Sequence, residues 1–348
     1  MDCFYAAVEV RDDPALRGLP VAVAWSGPRG VVLTANYEAR AFGVRSAMAV
    51  SLGLRRCPGL ILVTPRMEVY QEVSGVIREV FCHYTDLVEP LSLDEAYLDV
   101  TVPKQGPPSG TRIAERIRRE INQATGLTAS AGVSYNKFLA KLASGMDKPN
   151  GLTVILPDEA QGVLEALPIE AFHGIGPATA RRLHKMGVYK GSELKSQTLE
   201  HLKEAFGKAG EHFYSIVRGI DDRPVVAGRP YKSVSAETTF EVDLNSLEAL
   251  VGELAPLTQQ VEARLEKAGL TARVVVIKVK YQDFRTVTRR RTLPYTVHAS
   301  GALRQEAEGL LRALTLESSV RLLGVGAEGL IAVANAEVGQ MPLFSAPG

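Results

Sequence analysis

The first group of residues that suggests chemistry is an acidic pair. Asp94 and Glu95 stand side by side in LSLDEAYLD, residues 91–99. Adjacent side chains of a regular strand point to opposite faces, so the pair can share a ligand only at a tight turn between strands. Two neighbouring carboxylates repel unless a proton or cation lies between them, and Mg²⁺ prefers oxygen ligands and retains substrate phosphates. The pair is therefore either a polar turn, which the spacing alone favours, or a metal site for phosphoryl transfer.

A second stretch offers backbone amides to a phosphate. In FHGIGPATARRL, residues 172–183, Gly174 and Gly176 precede Pro177. The glycines predict a tight turn, and Pro177 suits the first position of a helix. The free amides at such a helix N-terminus bind a DNA phosphate without reading base sequence. An ordinary glycine-rich connection between helices fits these residues equally well.

A third stretch is strongly basic although the chain is nearly neutral. Residues 273–291 contain seven Lys or Arg and one acid, Asp283, whereas the formal net charge of the whole chain is +1. A local basic patch attracts phosphates even on a neutral protein. A solvated face explains the same composition, and charge alone does not separate the two.

The elements that would position these groups fall into an α+β pattern over the first 155 or so residues. Alternating or β-branched runs predict strands at Pro20–Trp25, Val31–Thr34, Leu91–Leu93, Ala96–Thr101 and Leu127–Ser134. Apolar residues at helical spacing predict helices over Met67–Tyr84, through Ile113, Ile117 and Ile121, and over Lys137–Met146. This arrangement predicts a sheet layer with helices on one face and the acidic pair between two strands.

The rest of the chain divides into a helical and a second α+β segment. Residues 156–222 have helical patterns, Gly-punctuated turns and little strand pattern, and Asp221–Pro230 has the composition of a linker. Beyond it we expect strands at 233–240, 273–281, 286–294 and 320–326, and helices at 246–268 and 301–314. The residues after Ala332 form a short polar tail.

Composition narrows the class of protein. Hydrophobic residues make up 46% and charged residues 23% of the chain, as in ordinary globular proteins. Three cysteines without CxxC spacing indicate a reducing interior, with no disulfide framework and no structural zinc. No apolar run approaches the ~20 residues that span a bilayer, and the acidic N-terminus differs from a signal peptide. A cytoplasmic protein that makes no membrane contact is expected.

The motifs, taken in order, resemble those of Y-family translesion DNA polymerases of the bacterial DNA polymerase IV type. The resemblance runs through nearly the whole chain. LSLDEAYLD resembles the catalytic motif, and residues 2–9 resemble the opening motif. Residues 34–44 are similar to the fingers motif, and a third block matches at 134–137, 140–141 and 148–151. YKSVS, residues 231–235, resembles the linker into the last domain, where Arg-Lys-Ser is more usual.

The resemblance implies an α+β multidomain, right-hand fold with palm, small fingers, helix–hairpin–helix thumb and α+β little finger. The expected division is palm at 1–3 and 66–155, fingers at 4–65, thumb at 156–222, linker at 223–232, little finger at 233–332 and a flexible tail at 333–348. The function implied is template-directed addition of deoxyribonucleotides to a primer 3′-hydroxyl, in low-fidelity translesion synthesis that serves DNA repair and damage tolerance.

The resemblance also implies residue roles around two Mg²⁺ ions. Asp94 and Glu95 would be metal ligands and catalytic residues, with Glu95 the catalytic acid and the Met1 backbone carbonyl facing the metals. The positions that match the nucleotide-binding set are Tyr37, Arg40, Lys148, Thr34 and Phe4. Tyr5 falls at the sugar-discriminating position, where a ring beneath the sugar leaves no room for a 2′-hydroxyl.

The implied partners are primer–template DNA, deoxynucleoside triphosphates and a sliding clamp, and the protein would act as a monomer. The DNA-binding set is Gly174, Gly176, Lys278, Lys280, Arg289 and Arg291. Alternate residues of a strand share a face, so Lys278 and Lys280 can follow one DNA backbone. QMPLF, residues 340–344, resembles a clamp-docking peptide with Gln340, Leu343 and Phe344 as contacts.

One feature departs from the family. The family has a strand before the opening motif, ending in the first catalytic aspartate two positions before the equivalent of Asp2, whereas this sequence begins at Met1. The expectation is that the chain as given binds DNA but polymerises poorly. The alternative is therefore a catalytically impaired DNA-binding repair protein of the same fold. A palm-type nucleotide cyclase fits the acidic turn but not the helix–hairpin–helix or the basic last domain.

Overall fold

The computed structural model describes residues 1–228, 230–297 and 301–333. The chain divides into two compact units, Met1–Ser26 with Gly30–Arg229, and Gly27–Arg29 with Pro230–Gly348. Among the described residues, every helix is too short or too polar to cross a membrane.

The first unit contains eleven α-helices and seven short strands among its described residues. Its helices are α1 (Phe4–Asp12), α2 (Tyr37–Ala41), α3 (Val50–Arg56), α4 (Met67–Tyr84), α5 (Gly110–Thr125), α6 (Lys137–Met146), α7 (Pro157–Ala166), α8 (Pro177–Lys185), α9 (Gly191–Lys195), α10 (Leu199–Phe206) and α11 (Lys208–Ile216). Its strands are β1 (Val21–Ala24), β2 (Val32–Ala35), β3 (Ile61–Val63), β4 (Val88–Pro90), β5 (Ala96–Leu98), β6 (Ala131–Val133) and β7 (Leu152–Val154). Short 3₁₀ turns lie at Pro14–Leu16 and Ile169–Ala171.

Three small sheets organise this unit. Strand β1 is central in the order β2-β1-β3, antiparallel to β2 and parallel to β3. The other two sheets are the antiparallel hairpin β4–β5 and the parallel pair β6–β7.

Helices α4 and α5 support the acidic hairpin through a common core. Their helical spacing of apolar residues buries Tyr70 and Ile77 of α4 and Ile113 and Ile121 of α5, packed with Phe4 of α1. Each such side chain stabilises the fold by about 1.5–3 kcal/mol relative to exposure. The predicted helix Met67–Tyr84 is confirmed.

The segment after β7 is helical, as predicted. Its core joins Leu164, Leu183 and Phe213 to Phe138 and Leu139 of α6. Helix α8 begins at Pro177 with Gly176 as its N-cap, which confirms the predicted start. Helices α10 and α11 meet at Gly207, whose φ of 59° suits glycine.

The second unit is a four-stranded antiparallel sheet packed against helices. Its elements are β8 (Ser233–Leu244), α12 (Leu247–Gly252), α13 (Leu254–Ala268), β9 (Leu270–Tyr281), β10 (Thr286–Val297), α14 (Ala302–Arg312) and β11 (Val320–Ala332). The strand order is β10-β9-β11-β8. Apolar residues of α13 and α14 share one core with Val275 and Ile277 of β9.

Several predicted boundaries are wrong for identifiable reasons. The strand before the acidic pair is Val88–Pro90 and not Leu91–Leu93, because the amides of Leu91 and Ser92 both donate to the Glu95 carbonyl at 2.9 and 3.4 Å and close a turn. The helix predicted over 246–268 is broken at Glu253. Pro256 lies in the first turn of the second piece, where its missing N–H costs nothing.

Strand lengths also differ from the sequence prediction. Strand β6 covers only Ala131–Val133 of the strand predicted over 127–134. The strands of the second unit run longer than predicted, to Leu244, Val297 and Ala332. Strands β3 and β7 and helix α1 were outside the sequence prediction because their short runs lack a clear period.

Candidate active site

The acidic pair lies in the connection of the β4–β5 hairpin, as the turn interpretation required. Glu89 pairs with Tyr97 and Pro90 with Ala96, so residues 91–95 form the bend. The Ser92 hydroxyl donates to Asp94 Oδ1 at 2.8 Å, and the Ser74 hydroxyl of α4 donates to the Leu93 carbonyl. These contacts fix the bend against α4.

The bend opens on a cleft of about 970 Å³ within the first unit. The charged and terminal groups that line it include Asp94, Glu95, Met1, Lys141 and Lys148. Residues of β5 and β6 and apolar side chains of α5 also line it. The cleft thus brings the predicted metal ligands together with one of the predicted phosphate-binding cations.

Each carboxylate of the pair faces a cation of the protein. The Met1 ammonium donates to the Asp94 carbonyl at 2.8 Å and lies 3.6 Å from Asp94 Oδ2. Lys141 Nζ lies 2.7 Å from Glu95 Oε1. Burial alone would raise the pKa of Glu95, but the hydrogen bond and charge of Lys141, with the charges of the N-terminus and Lys148, hold that pKa below its usual value. Burial lowers the pKa of the Met1 ammonium, and Asp94 opposes that shift.

Lys148 is held over the cleft by a buried aspartate. Its Nζ donates to the Met1 carbonyl at 3.0 Å and to Asp2 Oδ1 at 3.1 Å. Asp2 is 2% exposed and also accepts from the Ser130 hydroxyl at 2.7 Å and the Asn150 amide at 2.8 Å. Burial would raise the Asp2 pKa, but these donors and Lys148 bring it below its usual value. Asp2 therefore positions the turn that carries Lys148.

Thr34, Tyr37 and Arg40 lie in the β2–α2 segment and are not among the residues that line this cleft. Arg40 Nε donates to the Ala35 carbonyl at 2.8 Å, and its guanidinium carbon lies 5.0 Å from the Tyr37 ring centre. Burial and then the negative charge of Asp2 raise the Tyr37 pKa, while Arg40 lowers it, so the segment is within electrostatic reach of Asp2.

The Tyr37 hydroxyl is a buried polar atom without a hydrogen-bond partner in the described part of the chain. Such a group carries a desolvation cost of about 1–3 kcal/mol until a partner satisfies it. A phosphate oxygen is one group that would do so.

Tyr5 is held rigidly on the first turn of α1. Its ring stacks on Tyr70 with centroids 4.3 Å apart and planes 12° from parallel. The Tyr70 hydroxyl in turn donates to Glu9 Oε1 at 2.5 Å. Burial and then Asp94 raise the pKa of Tyr5, which indicates that its ring is near the acidic bend. Phe4, which the resemblance assigns to the nucleotide-binding set, is 4% exposed and lies in the core.

The site contains functional groups to which sequence reasoning gave no role. Lys141 was part of a matched block, and Asp2 was part of the opening motif, yet their contacts with Glu95 and Lys148 emerge only from the fold. Arg118 of α5 is a third such group, donating to the Ala129 carbonyl and to Asn150 Oδ1, each at 2.8 Å. No sequence spacing links α5 to that turn.

The donor set at the bend consists of oxygens. It comprises the carboxylates of Asp94 and Glu95 and the Met1 carbonyl, which are ligands suited to a hard divalent cation such as Mg²⁺. Among residues 1–228, 230–297 and 301–333, no cluster of three or more His, Cys, Asp or Glu could hold a metal. A bound ion would complete its coordination with water or with oxygens of a substrate, as Mg²⁺ commonly does beside phosphates.

The basic strands of the second unit present their cations on two faces. Lys278 and Lys280 pair with Thr288 and Thr286, so Arg290, two residues further, shares their face. Arg289 and Arg291 instead oppose Ile277 and Val275, on the face covered by helices.

The ion pairs made by these cations also differ between the two faces. On the open face, Lys278 reaches across Gly324 to Glu237 at 2.8 Å. On the helical face, Arg291 pairs with Glu306 of α14 at 2.9 Å. The four cations predicted to bind DNA thus do not form one surface, and Arg290 joins the lysines.

The predicted helix–hairpin–helix turn is exposed. Gly174 has a φ of 96°, in the region that favours glycine, and both Gly174 and Gly176 are exposed before α8. The candidate clamp-contacting residues Gln340, Leu343 and Phe344 lie outside the described residues.

Comparison with known proteins gives matches over almost the whole chain. Residues 1–145 match the model of the impB/mucB/samB family, residues 231–343 its C-terminal domain, and residues 170–221 the DNA polymerase-iota thumb domain. DNA polymerase IV 2 of Agrobacterium fabrum is 50% identical over 98% of this chain and 96% of its own length. DNA polymerase IV of Alkalilimnicola ehrlichii is 48% identical over 99% of this chain and 97% of its own.

Solved structures give the same picture. A Y-family DNA polymerase chimera of Dbh and Dpo4 is 29% identical and superposes with a TM-score of 0.86, covering 95% of this chain and 97% of the chimera. The insertion ternary complex of Dbh DNA polymerase matches with a TM-score of 0.68, at 29% identity and the same coverage.

Proposed function

The chain belongs to the Y family of DNA polymerases, in its DNA polymerase IV branch, and is a DNA-directed DNA polymerase; from that premise we propose that it adds deoxyribonucleotides to a primer 3′-hydroxyl at the Asp94–Glu95 bend. The proposed setting is low-fidelity translesion synthesis in the tolerance of DNA damage. The observation that carries the proposal is the shared cleft of Asp94, Glu95, Met1 and Lys148.

Asp94 and Glu95, with the Met1 carbonyl, would hold two Mg²⁺ ions against the incoming triphosphate. When bound, such ions neutralise the triphosphate and stabilise the charge on the attacking and leaving oxygens. The all-oxygen donor set supports this assignment. The carboxylates themselves supply negative charge at a fixed position, which the bend and Ser74 maintain.

Groups on two elements would bind the triphosphate. Lys148 offers a point charge, already oriented by Asp2, and Arg40 offers a planar fork beside the Tyr37 ring. The unsatisfied Tyr37 hydroxyl supports a phosphate contact there. Phe4 and, as a secondary candidate, Thr34 complete this proposed set. Tyr5, braced by Tyr70, would exclude a 2′-hydroxyl.

The remaining parts would grip primer–template DNA. The amides at Gly174 and Gly176 would hold a backbone phosphate at the start of α8, and Lys278, Lys280 and Arg290 would follow the duplex on the open sheet face. Arg289 and Arg291, which the sequence also predicted as DNA contacts, lie on the other face of the sheet and are not part of this proposed DNA-binding surface. The division into palm, fingers, thumb and little finger, a monomeric state, and clamp docking through Gln340, Leu343 and Phe344 belong to the same proposal.

The test is extension of a primed template with Mg²⁺ and deoxynucleoside triphosphates. We expect the chain to extend the primer, and Glu95→Gln to lower the rate by about 100- to 1,000-fold while primer–template affinity stays within about twofold. Equal rates for the chain and Glu95→Gln would overturn the assignment of this bend.

A second candidate function is DNA binding with impaired catalysis. Each of the two carboxylates at the bend already faces a protein cation. The described residues also contain no group of three or more His, Cys, Asp or Glu that could hold a metal ion. Both observations favour this candidate. Tight primer–template binding without detectable extension would support this candidate. Primer extension by the unaltered chain that is lost in Glu95→Gln would reject this candidate.

A further inference from the structure

Lys141 stands between two openings of the first unit. It lies one turn into α6, its side chain is 19% exposed, and it lines the active-site cleft together with Glu95. It also lines a second opening of about 500 Å³ formed with Phe172–Gly176, the proposed phosphate-binding hairpin. No other charged residue lines both openings among the described residues.

The charge of Lys141 acts on both sides. Toward the cleft its Nζ lies 2.7 Å from Glu95 Oε1, the distance of a direct ionic hydrogen bond. Toward the hairpin, burial and then the Lys141 charge lower the pKa of His173, while Glu95 opposes this shift. His173 is therefore within electrostatic reach of both partners of the ion pair.

In the proposed reaction Glu95 binds a divalent cation, and the ion pair with Lys141 obstructs that binding. A divalent cation that binds the Glu95 carboxylate must take the place of the ammonium or lie beside it, and like charges at a few ångströms repel. The lysine stem is flexible and carries its charge at the end, so the ammonium can leave Glu95 without moving α6. The second opening that Lys141 lines is the one at the hairpin.

We propose, on the basis of the function above, that Lys141 is a displaceable cation that neutralises Glu95 until a divalent ion binds and then moves its ammonium to a nucleic-acid backbone phosphate at the Phe172–Gly176 hairpin. Lys141 is thus a positioning residue that couples metal binding to DNA binding. The coupling is reciprocal, because ligands that each favour the same position of the side chain strengthen each other.

The first experiment measures Mn²⁺ binding to the whole chain without DNA, by the electron paramagnetic resonance signal of free Mn²⁺. Lys141→Met should bind Mn²⁺ about 3- to 10-fold more tightly than the unaltered chain, since no ammonium has to be displaced. The added Glu95→Gln change should remove this gain. Lys104→Met is the matched control, because Lys104 also pairs with a carboxylate, Asp86, but lies outside the cleft.

The second experiment measures primer–template affinity by fluorescence anisotropy at several salt concentrations, with and without Mg²⁺. In the unaltered chain and in Lys104→Met, Mg²⁺ should tighten binding and steepen the salt dependence by about one phosphate contact, a slope change near 0.9. In Lys141→Met, Mg²⁺ should leave the slope unchanged. Lys141→Arg, which keeps the charge, should retain the Mg²⁺ effect.

The outcomes separate this inference from the proposed function. Equal or weaker Mn²⁺ binding by Lys141→Met, or an unchanged Mg²⁺ effect on its DNA binding, overturns the displacement and leaves the metal site standing. Absence of Mn²⁺ binding in every variant overturns the metal site and the displacement together.

Discussion

The active-site cleft and the basic sheet of the second unit hold their charges in opposite ways. In the cleft, Asp2 is 2% exposed and binds Lys148, the Ser130 hydroxyl and the Asn150 amide at 2.7–3.1 Å. On the sheet, the side chains of Lys278 and Arg290 are 37% and 65% exposed, and Arg290 lies 3.8 Å from Glu328. In the cleft, the Asp2 carboxylate holds Lys148 in one geometry, whereas the cations of the sheet are screened by water and free to adjust.

The difference indicates what each region can do. Buried, hydrogen-bonded charges are costly to disturb and define positions, which suits a reacting triphosphate. Exposed charges on a strand face contribute little singly and tolerate displacement, which suits a duplex that must move through the site. Single substitutions should therefore have large effects in the cleft and small, additive effects on the sheet.

Outside the acidic pair, Lys148→Ala should give the largest effect. We expect the catalytic efficiency, kcat/KM, for a deoxynucleoside triphosphate to fall about 100-fold, because a preoriented cation is lost from the phosphates. Steady-state primer extension measures this, with Lys104→Ala as the control for loss of a paired lysine outside the cleft. An unchanged kcat/KM would mean that Lys148 does not contact the phosphates of the nucleotide.

Tyr5→Ala should have the next largest effect, on sugar selection. Removing the ring that Tyr70 supports opens space for a 2′-hydroxyl, so the preference for deoxyribonucleotides should drop by about 10- to 100-fold. Competing incorporation of ribo- and deoxyribonucleotides measures it. Tyr5→Phe keeps the stacked ring and should keep the preference, and equal behaviour of the two variants would remove Tyr5 from this role.

Asp2→Asn should destabilise the fold by about 2–3 kcal/mol at pH 7, since it leaves Lys148 without its buried carboxylate partner. The folded-state pKa of Asp2 is below its usual value, so the carboxylate stabilises the fold above the unfolded-state pKa near 4. That contribution is lost as the pH falls through the folded pKa. The difference between Asp2→Asn and the unaltered chain should therefore narrow below about pH 4.

Denaturant unfolding from pH 7 to pH 3 measures this dependence. The control is Asp86→Asn, because Asp86 also pairs with a lysine but its side chain is 82% exposed, and its loss should change stability by less than about 0.5 kcal/mol. A destabilisation by Asp2→Asn that stays constant over this pH range would contradict the ionised state of Asp2.

The sequence predicted elements better than contacts. The regular spacing of Val73, Ile77 and Val80 was enough to give α4 its bounds, because one face of a long helix must be apolar. The acidic pair and Pro177 were placed correctly since turns and helix starts depend on local residues. The three-residue strands β3, β6 and β7 were missed or overextended, as so few residues show no period.

Contacts between distant segments were not predictable from one sequence. The pairing of Asp2 with Lys148 and of Glu95 with Lys141 joins residues from separate elements, and neither pattern nor composition links them. The sheet face on which each cation of the second unit lies was also only partly predictable. Alternation was enough to predict that Lys278 and Lys280 share a face, but the face on which Arg289 and Arg291 lie depends on the register of β10 against β9.

Arg290→Ala and Arg291→Ala should give the smallest effects and test the sheet face directly. Arg290 shares the open face with Lys278 and Lys280, so its loss should weaken primer–template binding about two- to fourfold and reduce the salt slope by about 0.9. Arg291 pairs with Glu306 beside α14, so its loss should leave the slope unchanged and lower stability by less than about 1 kcal/mol. Anisotropy titrations over a range of salt measure both variants. A larger loss of affinity for Arg291→Ala would place the DNA toward the helical side of β10, and the distinction between the rigid cleft and the open sheet face would then fail for this strand.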